Sequence, residues 1–288
     1  MSVDKLQQKI RKLKNPLVVD LTPIAAMIPP QLKQIAESET EQYRYFCNGL
    51  LEGLKGVVPA VRFQMGIFAL MGPEGLTLLK TLMENAKKQD FYVLLDVPES
   101  LSAQAAELVV KQTLQWSCDG MIVSAYSGSD TIKPFLPLLD KEGKSLFVVL
   151  RTANRSASEL QDLMTGTRLV HIAAADTVSR LGEPLVGRCG YSQLAGVAAA
   201  NAAESLRTLR CKYNRLFLLI DGLDYSNANA KNCSCGFDQF GHGAAVCAGA
   251  SVTAAWTEAP GNGTDYVTAS VEAAQRIQKN LLRYITVL

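Results

Sequence analysis

Three charged residues stand at or near the ends of short apolar runs. Residues 17–21 are apolar except for Asp20, residues 57–64 carry Arg62, and residues 91–96 (FYVLLD) end in Asp96. A carboxylate inside an apolar run is costly to bury without a counter-charge. If these runs are neighbouring strands, alternation turns Asp20 and Thr22 to the same side, with Asp20 one layer deeper. Arg62 on the next strand is then the partner for Asp20, and Asp96 competes for it. The expectation is a buried acid–Arg cluster of Asp20, Arg62 and Asp96. Such a cluster serves either as a charge-neutral plug or as a new site, because structural ion-pair networks and functional sites share this appearance. The plug is the simpler reading.

Other reactive side chains carry less. Cys233-x-Cys235, His242 and Cys247 match no common zinc spacing, so free thiols in a loop are expected and no metal. His171 falls in a helical stretch and reads as a packing residue. Gly261-Asn262-Gly263-Thr264 is a turn before a last helix over 267–284, without the Lys or preceding strand of a nucleotide loop. Arg207, Arg210, Lys212 and Arg215 read as the solvated face and end of one helix. The formal net charge is +2, with 48% apolar and 19% charged residues, which gives no reason to expect a nucleic-acid or membrane partner. No apolar run reaches transmembrane length. Residues 1–14 read as a first helix, not a signal peptide. Seven scattered cysteines fit reduced thiols in a cytoplasm.

The elements that must position these residues alternate. Strands are expected at 17–21, 57–64, 91–96, 121–124, 146–150, near 196–200, at 216–220 and at 245–248. Helices are expected at 74–88, 102–115, 156–164 and 199–211, and a long loop at 227–240. Strand–helix alternation implies a parallel sheet. Eight units in 288 residues favour an α/β fold of the closed (β/α)8 TIM-barrel type. No linker divides the chain, so residues 1–288 are expected to form a single domain. Pattern alone leaves an open, doubly wound sheet as the alternative.

The segments themselves resemble the bacterial-type orotidine 5'-phosphate decarboxylases, in order, over nearly the whole chain. Residues 15–23 (NPLVVDLTP) resemble the family's first strand and turn. Residues 59–64 (PAVRFQ) with 72–75 (GPEG) resemble the second strand and its helix, and 93–96 (VLLD) the third strand. Residues 119–128 with 133–136 (KPFL) resemble the fourth. Residues 147–154 (FVVLRTAN) with 160–163 (LQDL) resemble the fifth and are the most specific piece. Residues 218–222 (LLIDG) and 243–251 resemble the seventh and eighth. The resemblance implies a TIM barrel, no cofactor, a homodimer across the barrel mouths, and a carbon–carbon lyase that generates a carbanion as carbon dioxide leaves.

It also implies a Lys-Asp-Lys-Asp array, which this sequence does not keep. The second-strand Lys position is Arg62, whose guanidinium is a poor proton donor at neutral pH. The third-strand pattern Asp-Ala-Lys-Arg-Gly-Asp reads Asp96-Val97-Pro98-Glu99-Ser100-Leu101. Asp96 remains, Pro98 replaces the proton-donating Lys, and Leu101 replaces the Asp that crosses to the partner subunit. Arg62 and Asp96 are thus the remnants of the catalytic array. By position, Thr22 replaces the ribose-contacting Asp, and Ala153, between Thr152 and Asn154, replaces the pyrimidine-contacting Ser. The seventh-strand phosphate loop reads Asp221-Gly222-Leu223-Asp224-Tyr225-Ser226, and the phosphate-binding Arg falls at Ala250. Thr22, Thr152, Asn154 and Gly222 are the positions where ligand contacts are expected. Two carboxylates near a phosphate position oppose a phosphate.

Three functions follow. The first is a catalytically impaired or inactive member, a pseudoenzyme of pyrimidine biosynthesis, that binds a small molecule, a nucleotide or a partner. The second is a working decarboxylase, converting orotidine 5'-phosphate to uridine 5'-monophosphate and carbon dioxide with a rearranged site. Pro98 opposes it, since loss of a general acid costs factors of about a hundred to ten thousand. The third is a different enzyme on the same barrel, with Asp96, Glu99, Asp221 and Asp224 as an acidic mouth suited to a cation or cationic substrate.

Overall fold

Eight short strands close into a parallel barrel in the computed structural model of the protein, which describes residues 1–22, 24–97, 102–113 and 115–287. The strands are β1 (Leu17–Asp20), β2 (Ala60–Gln64), β3 (Tyr92–Asp96), β4 (Gly120–Ser124), β5 (Ser145–Val149), β6 (Leu194–Ala199), β7 (Leu218–Asp221) and β8 (Ala244–Ala248). Each pairs with its neighbours in sequence, and β8 closes on β1. The open-sheet alternative is thereby removed. Residues paired across a parallel ladder share a face, so register decides which side chains meet inside. Asp20 pairs with Arg62, Arg62 with Leu94, Gln64 with Asp96, Ala199 with Asp221, and Val18 with Cys247. All of these lie on the inner face; Asp20, Asp96 and Asp221 end their strands, and Arg62 sits two residues before the end of β2.

Helices cover the outside. Glu39–Leu54 starts at Ser38, whose hydroxyl accepts the Glu41 N–H at 3.2 Å. It buries Tyr43, Phe46, Cys47, Leu50, Leu51 and Leu54 along one face. Gly49 and Gly53 let Tyr266 and Val267 of the last helix, Tyr266–Leu281, approach closely. A Cβ at Gly49 would stand 2.0 Å from the Tyr266 hydroxyl. Further layers come from Gly72–Lys88, Ala103–Thr113, Val170–Gly182 and Ala203–Lys212.

The N-terminal end of the barrel is closed by the first helix, Ser2–Leu13. The Ser2 hydroxyl lies 2.9 Å from the Tyr92 hydroxyl and donates to the Asp119 carbonyl at 2.9 Å. Val3 N–H donates to Gln193 Oε1 at 2.8 Å, and Gly243 N–H donates to Gln7 Oε1 at 3.0 Å. This floor meets backbone groups just before β4 and β8, and it gives the Gly243 N–H the partner that a buried donor needs.

The structure corrects several expectations. The helix expected at 156–164 is a 3-10 segment, Arg155–Glu159, followed by a small ribbon of Met164–Thr165 against Arg168–Leu169. Arg151 and Thr152 hold Asp162 and Gln161 respectively, which fixes this stretch against the strand end, and Gly166 at φ +66° turns the ribbon. The helix comes later, at Val170–Gly182. The helix expected from 199 starts at Ala203, because β6 occupies Leu194–Ala199. The loop at 227–240 contains a short helix, Ala230–Ser234, capped by Asn229, whose side chain accepts the Asn232 N–H at 2.9 Å. Among the described residues, no helix is long and apolar enough to cross a membrane.

Candidate functional site

A cavity of about 540 Å³ opens at the C-terminal mouth of the barrel, where the loops of such folds build their sites. Asp20, Thr22, Arg62, Gln64, Asp96, Asp221, Gly222, Asp224, Cys247 and Ala250 line it. Asp20 and Arg62 are only 7% and 8% exposed, so their charges must be met by the protein.

They are. Arg62 Nε and Nη2 donate to Asp20 Oδ2 at 3.0 and 2.5 Å. Its remaining arm, Nη1, donates to Asp221 Oδ2 at 2.8 Å. Asp20 Oδ2 also accepts Gln64 Nε2 at 2.8 Å. Asp20 Oδ1 accepts the Thr22 N–H at 3.0 Å and the Thr22 hydroxyl. Burial pushes the Asp20 carboxyl up, but the Arg62 guanidinium and the Thr22 and Gln64 hydrogen bonds outweigh it and hold the pKa below the ordinary value. Burial likewise works against the charge on Arg62. Cys247 is itself pushed far toward the neutral thiol by burial, so the carboxylates of Asp20 and Asp221 keep the guanidinium charged.

The expected trio of Asp20, Arg62 and Asp96 is therefore corrected in one member. Asp221 makes the second ion pair, and Asp96 makes none with Arg62 or any other described residue. Register explains this. Asp96 pairs with Gln64, two residues beyond Arg62 toward the mouth, while Arg62 lies level with Leu94. With no ion-pair partner among the described residues, the Asp96 carboxyl is raised from 3.8 to about 6 by burial, opposed by Arg62 and reinforced by Asp20 and Asp221.

Asp224 has a different task. It leaves the seventh-strand loop and accepts the Gly249 N–H at 2.6 Å and the Ser251 N–H at 3.1 Å. These donors lie where β8 turns into the short helix Ala250–Thr253. The carboxylate occupies backbone donors that in many barrels face a phosphate. Gly222 makes the turn possible. Its φ is +83°, and a Cβ there would stand 2.4 Å from that of Ala153.

Of the positions singled out from sequence, Arg62, Asp96, Thr22 and Gly222 come together at the mouth, with Ala250 beside them. Thr152 and Asn154 do not join the lining of this cavity. The Thr152 hydroxyl donates to Asn154 Oδ1 at 2.5 Å, and Thr152 N–H donates to Gln161 Oε1 at 2.8 Å, so both residues serve the fifth-strand loop. Pro98, Glu99 and Leu101 lie outside the described residues. Cys247 points into the barrel beside Arg62, and Cys233 is packed under its own short helix. Among the described residues, no three His, Cys, Asp or Glu side chains gather in a metal-holding arrangement. His171 is buried in its helix, as expected. Sequence reasoning missed Gln64 as an Asp20 ligand. The alternation Ala60, Arg62, Gln64 carried that signal.

No family model matches the chain. It is 25% identical over 284 residues to the orotidine 5'-phosphate decarboxylase of Clostridium novyi, covering 98% of both chains. It is 28% identical over 238 residues to that of Clostridium kluyveri, covering 81% of each. Among solved structures, the OMP decarboxylase of Leishmania donovani superposes with a TM-score of 0.75 at 22% identity, over 98% of this chain and 100% of the other. By sequence the chain is thus a divergent relative of the bacterial orotidine 5'-phosphate decarboxylases, and its barrel has the fold of a solved OMP decarboxylase.

Proposed function

We propose that this barrel, acting as one unit over residues 1–288 in a cytoplasm, has given up decarboxylation of orotidine 5'-phosphate and serves pyrimidine metabolism by binding. The observation that carries this reading is the self-neutralised mouth. Decarboxylation of this kind relies on preorganised charges free to act on the substrate. Here the one cation of the array, Arg62, is spent on Asp20 and Asp221. Asp224 meanwhile takes the Gly249 and Ser251 donors, so a mouth ligand without a phosphate fits better than a nucleotide. In this reading Arg62 and Asp96 are remnants of the array, and Thr22 and Gly222 shape the mouth.

The test is calorimetric titration of the purified protein with uridine 5'-monophosphate, paired with a decarboxylation assay on orotidine 5'-phosphate. Neither heat nor turnover is expected. Turnover would refute the proposal.

A homodimer belongs to the same reading. Leu70, Tyr126, Leu163 and Met164, in the segments that follow β2, β4 and β5, are each at least half exposed, and a second copy covering that end of the barrel would take this apolar surface out of water. Sedimentation of the pure protein checks this, and a monomer at micromolar concentration would refute it. One observation favours a different enzyme on this barrel instead. A carboxyl with a pKa of about 6 at a cavity is suited to exchange protons near neutral pH. That reading requires a reaction whose rate follows the ionisation of Asp96.

A further inference from the structure

A second cavity, of about 650 Å³, lies between the ends of β4 and β5 and the helix Val170–Gly182. Its volume is in the range that encloses small molecules. Ile132 and Leu150, both buried, are among its apolar walls. Another wall is one face of the helix, where Val170, Ala173, Ala174, Thr177 and Arg180 follow each other at helical spacing. At about 1.5 Å per residue, this wall runs about 15 Å from Val170 to Arg180.

Fixed charge is confined to one end of it. Among the described residues, Arg180 is the only Lys, Arg, Asp or Glu that lines the cavity. It is exposed. It also borders a neighbouring groove with Asp176 and Glu183, yet makes no ion pair with either. Asp176 is held instead by Arg168, by Lys212 at 2.9 Å and by the Tyr213 hydroxyl at 2.5 Å. Several polar groups on the cavity walls are occupied within the protein. Gln161 Oε1 accepts the Thr152 N–H at 2.8 Å, and Gln161 Nε2 donates to the Thr152 hydroxyl at 3.0 Å. The Ser124 hydroxyl accepts the Tyr126 N–H at 3.1 Å, and the Thr177 hydroxyl donates to the Ala173 carbonyl at 3.4 Å. The helix dipole alone favours a cation in this last turn. The apolar wall that leads up to the cation, with no carboxylate along it, is what points to a ligand.

We infer that this cavity binds an elongated apolar carboxylate of the medium-chain fatty acid kind, its chain along the helix face and its carboxylate on Arg180. The inference does not rest on the proposed role of the mouth, because no described residue lines both cavities. Tyr126 is shared with the surface proposed for a second copy, but Arg180 and the helix wall are not.

The test is calorimetric titration with decanoate, using decanol as the uncharged analogue. Apolar transfer alone favours the alcohol, because the carboxylate is the more strongly hydrated head. Saturable binding of decanoate is expected, about threefold or more tighter than decanol, the scale of an ion pair at an exposed cation. Arg180→Gln should remove that preference while decanol still binds. Ala174→Phe should fill the groove and weaken both probes about tenfold. Tyr225→Ala, at the mouth, should change neither. If Ala174→Phe does not fold, Arg180→Gln, at an exposed position, decides alone. Decanol bound as tightly as decanoate, a preference that survives Arg180→Gln, full binding in a folded Ala174→Phe, or loss of binding in Tyr225→Ala would each overturn the inference.

Discussion

Replacing Asp96 with Asn isolates a charge that no described residue pairs. The carboxyl is raised from 3.8 to about 6, so between these values the folded chain holds a proton that the unfolded chain has lost. Stability therefore falls as pH rises through this window, the opposite of a salt-bridged carboxylate. At about 1.4 kcal/mol per tenfold change, the cost is about 1 kcal/mol at about pH 4.5 and about 3 kcal/mol at about pH 7.5. Asn cannot ionise and avoids it. Asp96→Asn should therefore be more stable than the parent, by about 2 kcal/mol more at about pH 7.5 than at about pH 4.5. Asp20, Asp162, Asp176 and Asp238, all held below the ordinary carboxyl value, slope the other way but are common to both proteins and cancel. Urea unfolding of the two proteins at both pH values measures the difference. An Asn variant equally stable or less stable at the higher pH would refute the account of Asp96 as a half-buried acid without a partner among the described residues.

Arg62→Met should cost about 3–5 kcal/mol, because it strands the buried Asp20 and the partly buried Asp221 without their cation; urea midpoints check this, and a neutral result would mean that water already reaches the pair. Gly222→Ala should cost about 1–3 kcal/mol, since it combines a left-handed backbone with a clash against Ala153. Ser38→Ala should cost about 1 kcal/mol by removing the cap of the helix Glu39–Leu54; both are read from shifts in thermal midpoint.

The strands were legible because buried parallel strands are continuous apolar runs, and seven of them, all but β6, begin or end at or next to a Gly, Pro or charged residue. β6 was harder. Its sequence, LAGVAA, is short on β-branched residues, so only its place in the alternation marked it. The helix Glu39–Leu54 was not read at all, since polar and aromatic residues interrupt its apolar stripe. At the site, the pairing of Asp20 with Arg62 follows from two strands adjacent in the chain. The pairing of Arg62 with Asp221 does not. It spans the barrel's closure, where β7, β8 and β1 come together, and no local pattern reports the angle at which a barrel closes. The phosphate-loop expectation placed Asp224 in the right region, but only backbone geometry reveals that its carboxylate takes the Gly249 and Ser251 donors.

The helix Ser2–Leu13, which floors the barrel, is synthesised before every strand that it closes and is one of the last parts able to settle. Its partners include Gln193 and Gly243, which leave the ribosome far later. During translation its apolar face, with Val3, Leu6 and Ile10 buried in the finished fold, must wait without a home. Nascent chains halted before β8 should therefore leave this helix open to protease, and completion of the last strand should protect it in a single late step.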